Sequence, residues 1–304
     1  MRKSKFALGG IILLLLLSAC QPASAPPASN VPTIFAAESF LMDIAQNVAG
    51  DRLKVEAFIP AGMDPHSFEP TPQDMVGLEQ SQVLILNGCG LEEWMENLME
   101  GLLQETTIIE SCAGLTPRAS EGGTGQEHES DPHFWLDPNH VIKYVENIRD
   151  GLIRFDPEGT EIYQHNADRY INSLQDLDER IRVMVEEIPP EKRLLVTNHE
   201  NLGYFADRYG FKVVGAIIPS VSSGSTPTAQ QLSRLTNAMR TLQVNAIFLE
   251  VGANAQLANQ IASETGIRVV SELYSHSLST LDGPAPTYLQ MMEYNTQVIV
   301  DALK

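Results

Sequence analysis

The chain has 304 residues, of which 43% are hydrophobic, and its 39 acidic and 20 basic side chains give a net charge of −19. An acidic balance of this size argues against binding to nucleic acid and against flat docking on anionic lipid, because both partners are polyanions. The length is sufficient for two domains.

The first segment has the pattern of an export signal. Three basic residues precede an almost wholly apolar stretch, 6–17, which is shorter than the roughly 20 apolar residues of a transmembrane helix. The stretch ends in Leu-Ser-Ala-Cys at Cys20 and is similar to the lipobox of bacterial lipoproteins, whose cysteine is acylated; the alternative is an ordinary signal peptide with a chance cysteine. We therefore predict a lipoprotein signal peptide (1–19), lipidation at Cys20 and a flexible Pro/Ala/Ser tether (20–31).

These assignments predict an extracytoplasmic protein, in the periplasm or at the cell surface, that is attached to the membrane only through its N-terminal lipid. Three of the 20 basic residues lie in 1–19, so the chain from Cys20 onward carries 17 Lys and Arg against 39 Asp and Glu, a net charge of −22. Such a surface suits a soluble exported protein that attracts cations.

Eight apolar runs of strand length alternate with helical patterns along the rest of the chain. The runs are PTIFAA (32–37), KVEAFIP (54–60), QVLILN (82–87), TTIIES (106–111), RLLVTN (193–198), KVVGAII (212–218), AIFLEV (246–251) and IRVVSEL (267–273). Strands that alternate with helices are typical of parallel α/β sheets with both faces covered.

The stretch between the fourth and fifth runs has no strand pattern and is predicted to be helical. Apolar residues keep helical spacing from 158 to 188, after a break at FDPEG (155–159) and before Pro189-Pro190. The sequence thus predicts an α/β fold of two lobes with parallel sheets (32–155 and 189–304) joined by one long helix (156–188). The segment 118–130 is predicted to be a surface loop.

Cys89 and Cys112 are the other two cysteines, and each follows or ends a predicted strand of the first lobe. An oxidising compartment would allow them to pair. The sequence does not show whether they are within reach of each other, so a disulfide and two free thiols are both open at this stage.

Four of the seven histidines follow predicted strands, two in each lobe: His66, His133, His199 and His276. Ligands of open α/β sheets bind at the carboxyl ends of the strands. Imidazole is the commonest protein ligand for zinc, which prefers four donors in a tetrahedron. A single histidine after a strand is more often a buried structural residue, but four around one cleft favour a metal site.

His133 lies in DPHFWLDP (131–138), between two Asp-Pro steps. Proline fixes its own φ and disfavours helix in the residue before it, so this segment is predicted to be rigid. One interpretation is an ordinary capping turn before a helix. The other is a fixed metal ligand, in which Asp131, Asp137 or a backbone carbonyl orients the ring and the two aromatic residues that follow exclude water.

Four segments carry a resemblance to a known family: PAGMDPHSFEPTPQD (60–74), DPHFWLDP (131–138), TNHENLGYFADRYG (197–210) and LYSHSLST (273–280). They closely resemble the ligand-bearing segments of the metal-binding solute-binding lipoproteins of zinc and manganese ABC importers, and the resemblance covers essentially the whole mature chain. It implies two (β/α)₄-type lobes bridged by one rigid helix, with the metal between them and His66, His133 and His199 as ligands. It also implies a monomeric receptor that works with an ABC permease and its ATPase.

The fourth ligand position departs from the pattern of the resembled family, which usually has an aspartate where this chain has His276. His276 could ligate in its place, or it could turn away and leave a water or Glu250 near the metal. Imidazole favours zinc, whereas carboxylates suit manganese better. We therefore expect Zn²⁺ rather than Mn²⁺, in a site that is neutral before the metal binds.

The leading hypothesis is a receptor, not an enzyme, that captures Zn²⁺ between two lobes and delivers it to an importer. One alternative is a manganese receptor of the same family. Another is a secreted zinc hydrolase with an open metal position and Glu250 or Glu38 as base, although the sequence has no H-E-x-x-H motif. A third is a cell-adhesion protein.

Overall fold

The computed structural model describes residues 32–95, 106–119 and 130–304. The predicted signal peptide, the lipidation site at Cys20, the tether and most of the predicted surface loop (118–130) lie outside these residues. Among the residues that are described, no helix combines the length and the apolar character needed to cross a membrane.

Eight strands lie at the eight predicted runs of the described chain. They are β1 (Thr33–Ala36), β2 (Lys54–Ala57), β3 (Val83–Leu86), β4 (Thr107–Glu110), β5 (Leu194–His199), β6 (Lys212–Ile218), β7 (Ala246–Glu250) and β8 (Arg268–Leu273). They form two parallel sheets with the orders β2-β1-β3-β4 and β6-β5-β7-β8. The predicted fold class is confirmed.

The structure describes the following helices of eight or more residues, and in several of them the side chain of the residue before the helix caps its first turn. They are α1 (Ser39–Ala49), α2 (Pro72–Glu79), α3 (Pro138–Phe155), α4 (Thr160–Val185), α6 (Ala229–Leu242), α7 (Gln256–Thr265) and α8 (Tyr288–Leu303), with the shorter α5 (Gly203–Tyr209) between β5 and β6. Thr71, Thr228 and Thr287 accept a hydrogen bond from a backbone N–H in the first turn of α2, α6 and α8. Such side-chain caps satisfy donors that the helix itself leaves free.

The long helix α4 lies within the segment predicted to connect the lobes. Its 26 residues span about 39 Å at 1.5 Å per residue, and the 3₁₀ turn Pro157–Gly159 separates it from α3 at the predicted break. It contacts α1 of the first lobe and the C-terminal helix α8. One apolar face of α4 is buried in these contacts, so this helix is a packed element rather than an exposed tether.

One hydrophobic core runs through both lobes. It includes Ile34 under the first sheet, Leu174 of α4 and Phe248 of the second sheet, together with Tyr288 of α8. The outer face of each sheet has a smaller cluster of its own. Because the main core is continuous, packing fixes the carboxyl edges of the two sheets with respect to each other.

Cys89 and Cys112 form a disulfide in the structure, with their Cα atoms 6.3 Å apart. They follow β3 and β4, which are hydrogen-bonded parallel neighbours. The pairing therefore joins the two chain segments that leave the same edge of the first sheet.

Candidate metal site

The four histidines that follow predicted strands meet between the lobes at the carboxyl ends of the two sheets. His66 lies in the loop between β2 and α2, and His133 begins the 3₁₀ turn Phe134–Leu136 after β4. His199 is the last residue of β5, and His276 lies just after β8. Each lobe thus supplies two imidazoles, each from the end of a different strand or from the segment that follows it.

The Nε2 atoms of these rings face one another. Nε2 of His133 lies 3.3 Å from Nε2 of His66, 3.3 Å from that of His199 and 3.2 Å from that of His276. One ring nitrogen from each of the four lies within 4.8 Å of the others, an arrangement that could hold a metal ion. Bonds of 2.0–2.1 Å in a zinc tetrahedron imply N–N separations of about 3.3–3.4 Å, so the observed spacing suits that geometry.

Carboxylates lie against the outer nitrogens of three of the rings. Nδ1 of His133 lies 2.8 Å from Oδ1 of Asp131. Glu250 spans two rings, with Oε1 2.7 Å from Nδ1 of His199 and Oε2 2.7 Å from Nδ1 of His276. A proton on each Nδ1 leaves the Nε2 lone pair free to bind a cation.

Two expectations from the sequence need correction here. Asp137 does not contact the His133 ring, because its carboxylate accepts from the backbone N–H of Asn139 and caps α3. The site is also not free of anions, because Glu250 and Asp131 lie directly behind the imidazoles. Glu250 reaches this position from the end of β7, which strand order alone does not reveal.

Aromatic packing closes the site on one side. The Trp135 ring lies 5.1 Å from that of His133 and 5.6 Å from that of His276, and it stacks on Phe40 at 4.5 Å. Phe134 turns away and stacks on Tyr204. Of the two aromatic residues expected to exclude water, Trp135 therefore forms the wall.

The electrostatics of the site follow from burial and from the cluster itself. Burial, and then the neighbouring His276 and His199, lower the pKa of His66 to about 2. Burial raises the pKa of Glu250, but His199 and His276 outweigh it and hold that pKa well below its ordinary value. For His276, burial lowers the pKa, but Glu250 outweighs this and the net shift is upward. Burial and the other imidazoles thus keep His66 unprotonated, while the Glu250 carboxylate supplies a negative charge that favours a cation.

A family model described as "Zinc-uptake complex component A periplasmic" (ZnuA) matches residues 34–302. The chain belongs to this family. Members of the ZnuA family are solute-binding receptors of metal ABC importers rather than enzymes. This confirms the resemblance that the four histidine segments carry.

Relatives of this ZnuA-family protein are named for different metals. It is 32% identical to the manganese-binding lipoprotein MntA of Halalkalibacterium halodurans over 100% of this chain and 99% of the relative. It is 31% identical to the iron-binding protein YfeA of Yersinia pestis over 96% and 92%. The periplasmic zinc binding protein TroA of Treponema pallidum superposes with a TM-score of 0.80 at 25% identity, covering 90% of this chain and 99% of that one. The comparisons thus show the family but not the metal, which has to be argued from the site.

Sequence reasoning named Glu250 and Asp131 but missed Asp64 and Ser223. Asp64 accepts a hydrogen bond from the backbone N–H of His66 at 3.0 Å, which an Asp two residues before a histidine could have suggested. Ser223 contacts Asp64 from the second lobe, and no pattern in the sequence signals this contact.

Proposed function

We propose that this extracytoplasmic receptor captures Zn²⁺ between its lobes through His66, His133, His199 and His276 and delivers it to an ABC permease and its ATPase. The observation that carries the proposal is the convergence of four imidazoles: one ring nitrogen of each lies within 4.8 Å of the others, and Nε2 of His133 lies 3.2–3.3 Å from that of each of the other three. All four donors are imidazole nitrogens, which suit zinc better than manganese.

The same geometry argues against the hydrolase alternative. Catalytic zinc keeps three protein ligands and one position open to water. In this proposal His276, whose Nε2 lies 3.2 Å from that of His133, takes the fourth position, and Glu250, the base in the hydrolase hypothesis, is hydrogen-bonded to His276. A carboxylate held in this way supports ligation rather than proton abstraction from water.

Manganese is the second candidate because a specific relative supports it: MntA, which is named as manganese-binding, matches the whole chain. Against it stands the donor set, because manganese prefers carboxylate, carbonyl and water oxygens. Relatives named as lipoproteins also support lipid attachment at Cys20, which we include in the proposal together with a monomeric state.

A competitive titration tests the proposal. The chain from residue 30 onward contains the whole compact unit 32–304 and would be titrated with Zn²⁺ against Mn²⁺, as wild type and as His276→Ala. We expect one tight Zn²⁺ per chain, weakened by the substitution. Tight Zn²⁺ binding that is unchanged by the substitution would favour a three-histidine site. A preference for Mn²⁺ would contradict the argument that four imidazole donors favour zinc.

Growth supplies a second test. Deletion of the protein should impair growth only under zinc starvation, with rescue by the wild-type chain. A loss of attachment to surfaces without a zinc phenotype would support the adhesion alternative instead.

A further inference from the structure

His66 differs from the other three histidines of the site. Its side chain is only half-buried, whereas His133 and His199 are fully buried and His276 is 7% exposed. Within the described part of the chain, no carboxylate holds its Nδ1 atom, although Asp131 or Glu250 holds that of each other ring. The position of the His66 ring therefore depends on its backbone.

The turn that carries His66 is held from both lobes. From its own lobe, Nε1 of Trp94 donates to the carbonyl oxygen of Pro65 at 2.7 Å. From the other lobe, the Ser223 hydroxyl donates to Oδ2 of Asp64. The second oxygen of that carboxylate, Oδ1, accepts from the backbone N–H of His66 at 3.0 Å, so one side chain joins the second lobe directly to the His66 backbone.

The segment around Ser223 faces the partly exposed His66 across a cavity. Val221 and Ser222 line a cavity of about 380 Å³ together with His66. Asp64 lines a second cavity, of about 110 Å³, together with His276. The Asp64–Ser223 contact thus lies beside His66, the most exposed of the four candidate ligands.

We propose that the Asp64–Ser223 hydrogen bond is an interlobe clasp that positions His66 and sets the rate at which the bound metal leaves. The inference rests on the proposed function, since it takes His66 as a ligand. With the clasp closed, the His66 backbone is tied to the lobe that supplies His199 and His276. With the clasp open, the His66 turn is held only by contacts of its own lobe, among them the Trp94 hydrogen bond and the bond from the Ser67 N–H to the carbonyl oxygen of Asp64, and this ligand can separate from the others first.

The expected effect is on dissociation rather than on capture. A hydrogen bond to an ionised acceptor is stronger than one between neutral groups, so its loss should speed metal release about tenfold. Differences in affinity between closely related complexes arise mainly in the dissociation rate. The association rate should stay within about twofold of wild type, because it varies much less than the dissociation rate among mutants of one site.

Zn²⁺ release into an excess of chelator, followed by stopped flow, tests the clasp in the mature chain. Ser223→Ala should release Zn²⁺ about tenfold faster, and Ser223→Thr, which keeps the hydroxyl, should restore the wild-type rate. Ser225→Ala is the matched control, because Ser225 is an exposed serine of the same segment. Equal release rates for wild type and Ser223→Ala would overturn the clasp.

A double-mutant cycle distinguishes the clasp from a general loosening of the loops. Asp64→Ala removes both the clasp and the support of the His66 N–H, so adding Ser223→Ala to it should cause no further acceleration. Additive effects of the two substitutions would overturn the inference. A wild-type chain that binds no divalent metal would instead refute the proposed function itself, an outcome that the titration detects before any rate is measured.

Discussion

Glu250 contacts two of the four imidazoles at once, so a single side chain orients half of the candidate ligands. Its oxygens lie 2.7 Å from Nδ1 of His199 and 2.7 Å from Nδ1 of His276, and Nδ2 of Asn201 donates to it at 3.2 Å. An aspartate in place of His276 would have no N–H to donate to this carboxylate. The contact with Glu250 at the fourth position therefore depends on a histidine at residue 276.

Replacing Glu250 with Gln should weaken Zn²⁺ binding about 10- to 100-fold, the usual cost of losing a group that orients metal-bound histidines. The amide offers only one acceptor atom and carries no charge, so it cannot hold both Nδ1–H groups. Isothermal titration of the metal-free chain would measure the change. Glu272→Gln, an exposed site on β8, should bind like wild type, and equal affinity in Glu250→Gln would show that the bridge is dispensable.

Replacing His276 with Asp should shift selectivity from Zn²⁺ towards Mn²⁺ by about tenfold or more, because a carboxylate oxygen replaces an imidazole nitrogen. Competition between the two metals would report the ratio directly. An unchanged ratio would mean that donor type at this position does not set the preference.

At the scale of elements, the start of α1 and the segment after β3 bring two buried carboxyl groups together. Glu38 precedes α1 and is 1% exposed, while Glu92 accepts the backbone N–H groups of Asn87 and Gly88 at 2.7 and 3.0 Å. Burial, and then the charge of Glu92, raise the pKa of Glu38 well above its ordinary value. Burial likewise raises the pKa of Glu92 to about 7. The folded protein thus retains protons here that the unfolded chain releases.

The contribution of this pair to the free energy of unfolding of the metal-free protein should therefore fall as the pH rises from about 4.5, the ordinary pKa of glutamate, to about 7. Over this range the unfolded chain loses protons that the folded pair keeps, so the pair makes a negative contribution to the slope, opposite in sign to that of the unprotonated His66. Glu38→Gln leaves one carboxylate with an amide donor, so the slope of its profile should be less negative than that of wild type. Urea unfolding at several pH values, with chelator present, measures the profiles of wild type and Glu38→Gln. Parallel profiles would argue against raised pKa values in this pair.

At the scale of the whole molecule, the candidate ligands come from both lobes, which already share one core. Trp135 of the first lobe donates to the carbonyl oxygen of Ser275 in the second at 2.7 Å. The backbone N–H of Leu278 donates to Oγ of Ser39 at 2.9 Å. A bound ion would add to these contacts a link that exists only in the folded state.

Metal should accordingly stabilise both lobes together. At a free Zn²⁺ concentration about 1,000 times the Kd, the gain is about 4 kcal/mol, which corresponds to a rise in Tm of roughly 10 °C. Calorimetry should show one transition that moves as a whole. His133→Ala serves as the control and should show little shift, while a rise confined to one of two transitions would mean that the metal binds within a single lobe.

Local patterns of residues predicted the elements of this protein and the kind of residue at its site. Apolar runs and helical spacing are local patterns, so they located the eight strands and the connecting helix. The histidines could be assigned to one crevice because each follows a strand, and parallel strands end at a common edge. The resemblance of the four segments to a receptor family was already visible there.

The folded structure shows how these residues meet. It selected Asp131 over Asp137 as the partner of His133, joined Cys89 to Cys112, and brought Glu250 against two rings. The expectation of a neutral site was wrong for this reason. Asp64 and Ser223 are 159 residues apart in the chain. Their contact depends on how the two sheets pack around α4, and no local pattern of residues predicts such a contact.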